Sequence, residues 1–243
     1  STVNISTLTA LVLAATEVKI CKHGNYGVTS LNGSSGILEH LGYKFKTSGD
    51  ELLAELNESN ITFLHAPLFH PILKNIGPVR KNMQMKTIFN ILGPMVNPLQ
   101  PFYRYTGVSN LYTARVYNYI YQQKNIAYNI VHTLDGNDEV TLTDSSKIYS
   151  HLGENHYYAD EFSPLKIDLS QLIVTSMNDA ALKFNEVLDN RSTESIKEVV
   201  LVNSALAYRL KNESVSFSEA KAVCNEVLVS GKVRATFNKL IKN

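Results

Sequence analysis

Residues 18–39 read VKICKHGNYGVTSLNGSSGILE, a strand, a glycine-rich loop and the start of a helix. Val18 to Cys21 is a short apolar run of the kind buried in a sheet, and it delivers Lys22 and His23 to its C-terminal end. The loop carries Gly24, Gly27 and Gly33 among several hydroxyl groups, and Gly36 to Leu41 forms a helix turn stopped by Gly42. Amides freed by glycines, Ser and Thr donors, a lysine and a helix start are the parts that hold an anion of several phosphates. Composition alone does not separate this arrangement from an ordinary turn-rich βα connection.

Working outward, Asn4-Ile5-Ser6-Thr7 carries helix-opening cap residues, and an apolar helical pattern runs from Leu8 to Ala15. Asp50 to Asn57 reads as a helix with Leu52, Leu53 and Leu56 on one face, and Ile61 to Leu64 as a buried strand. From His70 to Pro101 prolines and glycines exclude a single regular element, which marks a crossover between substructures. Alternation then returns. Tyr105–Val108 is a strand, Tyr112–Lys124 a helix, and Ala127–Leu134 a strand ending in the polar loop Asp135–Glu139. Residues 147–160 read as a β-hairpin centred on Gly153-Glu154-Asn155. Helices are expected over Asn178–Leu188, Thr193–Leu210 and Ser218–Leu228, with a last piece after Gly231. This order predicts an α/β fold with a mainly parallel central sheet flanked by helices. In such sheets ligands bind beyond the C-terminal strand ends, where the loops after Cys21 and after Leu134 both lie.

The totals narrow the function classes. At 243 residues with 44% hydrophobic and 19% charged residues, the chain has the composition of a globular protein with a sizeable core. A net charge of +1 gives no bulk attraction to nucleic acid or to an acidic membrane, and no apolar run reaches membrane-spanning length. Cys21 and Cys224 lie far apart in apolar surroundings, which fits buried thiols in a reducing compartment. Ser1-Thr2-Val3-Asn4 does not have the pattern of a signal peptide.

Three constellations carry chemistry. The first joins Asn4–Thr7 to Lys22–Ser34 as a cradle for an anion with more than one phosphate. The second is Asp138-Glu139, adjacent carboxylates suited to Mg²⁺, with a solvated acidic turn as the alternative. The third spans His70–Pro98, where His70, Lys74, Arg80, Lys81 and Lys86 sit beside apolar groups and Pro94 follows a glycine. A guanidinium near apolar walls suits a flat aromatic carboxylate, while a lone histidine is more often structural and prolines also shape connections.

Taken in order, these segments closely resemble the anthranilate phosphoribosyltransferases of tryptophan biosynthesis. The matching residues are Asn4-Ile5-Ser6-Thr7, Lys22-His23-Gly24-Asn25, Gly33-Ser34, His70-Pro71, Lys74-Asn75 and Pro78-Val79-Arg80-Lys81. Thr87-Ile88-Phe89-Asn90-Ile91-Leu92-Gly93-Pro94, Asn97-Pro98, Asp135-Gly136, Asp138-Glu139, Leu201-Val202-Asn203 and Ser230-Gly231-Lys232 complete them. Any one is weak, but the ordered set is specific. The resemblance implies a nucleoside phosphorylase/phosphoribosyltransferase-like fold. Residues 1–66 and 88–243 would form the donor-binding α/β domain, and 67–87 a crossover belonging to a mostly missing small helical domain. It implies transfer of phosphoribosyl from phosphoribosyl pyrophosphate to the amine of anthranilate with Mg²⁺, in a cytoplasmic enzyme that is a homodimer at full length, with no nucleic-acid or membrane partner.

Carried over residue by residue, Thr2, Asn4, Ser6, Thr7, Lys22, His23, Gly24, Asn25, Ser30 and Ser34 would bind the donor. Ser6, Asp138 and Glu139 would bind magnesium. Asn25, His23, His70, Arg80 and Pro94 would line the anthranilate path, with Arg80 meeting the carboxylate. The family pattern also places a GTGGD loop ahead of Ser1. Departures are Tyr26-Gly27 for Arg-Ser or Arg-Ala, Leu31 for lysine, Gly36 for aspartate and Lys86 for arginine. The charges lost at positions 26 and 31 weaken the expected grip on the donor phosphates. A pyrimidine nucleoside phosphorylase shares the KHG loop, but the His70–Arg80 block and Asp138-Glu139 argue against it. A non-catalytic nucleic-acid-binding paralogue is disfavoured by the near-neutral charge and the acidic pair.

Overall fold

The computed structural model describes residues 1–26, 33–70 and 93–242. Helix α1 (Ile5–Ala15) opens the chain, with Asn4 as its cap accepting the Thr7 amide at 3.1 Å. Every residue of α1 except Ser6 is buried. An all-round apolar helix of this kind must be enclosed by other elements. Helices α8 (Glu194–Arg209), α9 (Phe217–Val229) and α10 (Lys232–Lys242) pack against it from the far end of the chain.

Strand β1 (Ile20–Gly24) pairs in parallel with β2 (Ile61–His65), in a register that sets Lys22 opposite Phe63. Between them lie α2 (Ser34–His40) and α3 (Gly49–Ser59), the crossover that parallel pairing requires. All five residues of β2 are buried, as befits a strand covered on both faces. Strand β1 starts later and runs further than the sequence pattern predicts. Lys22 and His23 are therefore strand residues, not the first residues beyond it. In α3 the expected face is also corrected. Leu52 is buried, but Leu53 is exposed, and its place on the inner face goes to Glu55. At 3.6 residues per turn, positions 52, 55 and 59 share a side and position 53 turns away.

A short helix α4 (Ala66–Phe69) follows β2, and residues 71–92 lie outside the described residues, as do 27–32. Ser30, Lys74, Arg80, Lys81 and Lys86 therefore carry no structural account. A 3₁₀ turn at Gly93–Val96 leads to β3 (Tyr103–Gly107), α5 (Leu111–Gln122) and β4 (Ala127–Thr133). Strands β3 and β4 pair in parallel across α5. Strands β5 (Ser146–Ser150) and β6 (Gly153–Tyr157) add to β4 in antiparallel fashion, so this four-stranded sheet is mixed. The hairpin turns at His151-Leu152 rather than at Gly153-Glu154-Asn155. Gly153, with φ of +136°, permits the bend and already pairs with Ser150. Helix α6 (Ala159–Phe162), a 3₁₀ turn at Leu169–Leu172 and helix α7 (Met177–Leu188) complete the chain ahead of α8.

The larger core joins α1, β1 and β2 to α7–α10. A smaller one between α5 and β4–β5 includes Tyr117, Tyr121, Tyr128 and Tyr149, with the Arg104 guanidinium of β3 5.3 Å from the Tyr121 ring. Among the described residues no helix is long and apolar enough to cross a membrane. Cys21 and Cys224 are both free thiols, with Cys224 buried and pushed up to about 12 by desolvation.

Candidate active site

The start of α1, the start of α2 and the loop after β4 converge on one cavity of about 510 Å³. Thr2, Asn4, Ser6, Ser34, Asp138 and Glu139 line it. Ser6, the one residue of α1 that is not buried, is the helix's contribution to that wall. Its backbone N–H donates to the Glu139 carboxylate, while the next amide is taken by Asn4. The two carboxylates thus stand at the positive end of α1.

Strand β1 supplies the other half. Successive residues of a strand point to opposite faces. Lys22 faces the carboxylates, and His23 faces away toward the segment after residue 92. Burial pushes the Lys22 ammonium down to about 8, against the opposing pull of Glu139 and Asp138. The Glu139 carboxyl is held well above its ordinary range, first by desolvation and then by the Asp138 charge and hydrogen bond, with Lys22 pulling it back. Lys22 and Gly24 also line a narrow crevice that shares Ser34 with the main cavity.

On the opposite face His23 Nδ1 lies 3.0 Å from the Gly93 carbonyl. A carbonyl can only accept, so His23 carries its proton on Nδ1, and its buried Nε2 has no hydrogen-bond partner among the described residues. Desolvation lowers the pKa of His23 and favours this neutral form. Its ring meets that of His70 edge-on at 5.5 Å, and His70 Nε2 donates to the Val96 carbonyl at 2.6 Å. Pro94 sits in the intervening 3₁₀ turn. Asn25 is exposed at the end of β1, and its side chain accepts the Tyr26 amide at 2.8 Å. Tyr26 bends back onto α2, donating to Glu39 at 2.8 Å with its ring 4.8 Å from that of His65. Thr7 does not reach the cavity. It is fully buried, and its hydroxyl has no hydrogen-bond partner among the described residues.

Several residues of the site gave no signal in the sequence. Leu169 and Ile173 line the cavity because the Val3 amide donates to the Leu172 carbonyl at 2.8 Å and the Val174 amide to the Ser1 carbonyl at 2.8 Å. The loop bearing the carboxylates is held by Thr133, whose hydroxyl donates to the Glu139 carbonyl at 2.6 Å. Gly107, the last residue of β3, lies under it. A Cβ there would come 1.6 Å from the Asp138 carbonyl oxygen. A glycine closing a strand next to a polar loop was the available clue.

Two adjacent carboxylates, one raised by burial and by its neighbour's charge, are an arrangement that a hard divalent cation relieves. Among the described residues no group of three His, Cys, Asp or Glu side chains could hold a metal. A cation here would complete its shell with serine, ligand or water oxygens.

Comparison with known proteins gives a consistent picture. The family described as "Glycosyl transferase family, a/b domain" matches residues 1–234. The anthranilate phosphoribosyltransferase of Cytophaga hutchinsonii is 45% identical over 251 residues, covering 99% of this chain and 74% of that protein. That of Bacteroides thetaiotaomicron is 38% identical, covering 100% of this chain and 73% of the relative. Among solved structures, the Thermus thermophilus anthranilate phosphoribosyltransferase superposes with a TM-score of 0.91 at 26% identity, over 100% of this chain and 73% of that one. The Saccharomyces cerevisiae enzyme in complex with PRPP and Mg gives 0.91 at 25% identity, over 99% of this chain and 69% of that one. The chain belongs to the anthranilate phosphoribosyltransferase family.

Proposed function

We propose that this chain binds phosphoribosyl pyrophosphate in the 510 Å³ cavity and transfers its phosphoribosyl group to the amine of anthranilate, releasing pyrophosphate. The observation that carries this reading is the convergence of Ser6, Asp138 and Glu139 on one cavity, with Lys22 electrostatically coupled to the two carboxylates, in a chain of this family. Charge accumulates on the departing pyrophosphate as the ribose C1 becomes cation-like, so fixed positive charge and donors around the leaving group lower the barrier. Mg²⁺, held by Asp138, Glu139 and Ser6, would supply charge neutralisation at the pyrophosphate. Thr2, Asn4 and Ser34 offer polar groups along the cavity wall, and Lys22 supplies a half-buried cation beside the carboxylates.

The acceptor would approach from the other face of β1. His23, neutral and with a free acceptor at Nε2, is suited to an amine N–H. His70 and Pro94 stand beside it. Asn25 and Arg80 keep the roles that the resemblance gives them, Arg80 as the partner of the acceptor carboxylate. Holding donor and acceptor side by side then supplies much of the remaining rate. The same reading carries a cytoplasmic homodimer for the full-length protein, and the two free thiols fit a reducing compartment.

Full-length protein with Mg²⁺ and phosphoribosyl pyrophosphate should consume anthranilate, seen as loss of its fluorescence. Absence of turnover, together with phosphorolysis of thymidine or uridine, would replace this reading with that of a nucleoside phosphorylase.

A further inference from the structure

We propose that Asn203 is a positioning residue that sets the Asp138–Glu139 carboxylates at the cavity wall by clamping the backbone next to them. It lies on α8, 1% exposed, in a run where Val199, Val200, Leu201 and Val202 are all buried. A carboxamide in such surroundings is costly unless its hydrogen bonds are made. All of its capacity is used. Nδ2 donates to the Val140 carbonyl at 2.9 Å and to the Val199 carbonyl at 2.8 Å. Oδ1 accepts the Val140 amide at 3.1 Å and the Tyr105 hydroxyl at 2.9 Å.

Two bonds to both polar groups of one residue fix that residue's place and its orientation together. Val140 directly follows Glu139, so the clamp sets the direction in which the chain presents the acidic pair. Thr133 holds the Glu139 carbonyl at the preceding peptide, and Gly107 sets the depth to which the loop can sink. Tyr105 anchors the carboxamide itself, tying β3 to α8 and the loop at one point. Packing would be served as well by a leucine of similar volume, whereas a carboxamide can both accept from the amide and donate to the carbonyl of one residue. This inference rests on the proposed role of Asp138 and Glu139 as cation ligands.

The test uses full-length protein with Mn²⁺ as the probe, its binding followed by electron paramagnetic resonance in the presence of phosphoribosyl pyrophosphate. Asn203→Leu should weaken Mn²⁺ binding about tenfold or more, the range for outer partners of metal ligands. The KM for the donor should rise with it, while the KM for anthranilate should stay within about twofold, a split that general loosening would not produce. Tyr105→Phe keeps the ring and removes only the hydroxyl, so it reports even if Asn203→Leu does not fold. It should weaken Mn²⁺ binding by a smaller factor, with the small loss of thermal stability that one hydrogen bond accounts for. Wild-type-like Mn²⁺ affinity in either folded variant overturns the clamp while leaving the function standing. A wild-type protein that binds no Mn²⁺ overturns the function, and the clamp with it.

Discussion

At the scale of single residues, the site depends on atoms that touch no ligand. Gly107 is the sharpest case, because any side chain there collides with the Asp138 backbone at 1.6 Å and flexible atoms cannot absorb the clash. Gly107→Ala should leave the circular dichroism spectrum intact, raise the donor KM about tenfold or more and weaken Mg²⁺ activation in parallel. An unchanged donor KM would show that the loop position does not matter. Half of the residues that line the cavity were named from the sequence, through the ordered resemblance rather than through composition or spacing. Their supports were not. Asn203 stood in a recognisable block without an assigned task, and Leu169 and Ile173 reach the cavity only through backbone pairing with residues 1–3. Periodicity carries no trace of such pairings, which are made between segments remote in the chain.

At the scale of elements, helix α3 and strand β2 are joined by a buried acid. Glu55 is 4% exposed and accepts hydrogen bonds from Tyr43 and Thr62, each 2.7 Å. Desolvation raises its pKa above the ordinary 4.5, and the two hydroxyls offset this in part. A folded pKa above the unfolded one means that the native state holds the proton more tightly. Stability is then full at pH below 4.5 and falls as pH rises through the folded value. Glu55→Gln keeps an acceptor for both hydroxyls and carries no charge. In thermal melts the variant should match wild type near pH 4 and exceed it at pH 8; parallel curves at both pH values would contradict the assignment. Apolar periodicity misplaced this face, choosing Leu53 over Glu55, because a buried acid with two hydroxyl partners looks polar in sequence. The strands themselves were legible. Their ends were not, since β1 continues through Lys22 and His23 by pairing with β2 rather than by its own apolar character.

At the scale of the whole molecule, the last helix closes the core. Arg234 on α10 grips the end of α7, donating to Asp189 at 2.7 Å, to the Asn185 side chain at 2.9 Å and to the Asn185 carbonyl at 3.0 Å. Its hydrogen bond is the main cause holding the Asp189 carboxyl below its ordinary 3.8. The pair is partly exposed, so Arg234→Ala should cost about 1–2 kcal/mol in urea unfolding at pH 7. A depressed carboxylate stabilises above its unfolded pKa and loses that contribution as pH falls through the folded one. The gap between variant and wild type should therefore narrow below pH 3.8. A gap that is constant with pH would assign the loss to packing alone. The α/β order was legible because each element kept its own period, but the enclosure of α1 by α8–α10 was not, since nothing local records it.

That enclosure also bears on how the protein is made. Ribosomes release α1 before α2 to α7, and the three helices that cover it emerge only after those. Until then α1 has only β1, β2 and α7 among its main native neighbours, and closing so long a loop is slow. In that interval the face of α1 that α8–α10 later cover stays without its native partners. Maturation is thus paced by synthesis of the C-terminal helices, which touch no substrate and still decide when Ser6 reaches its place beside Glu139.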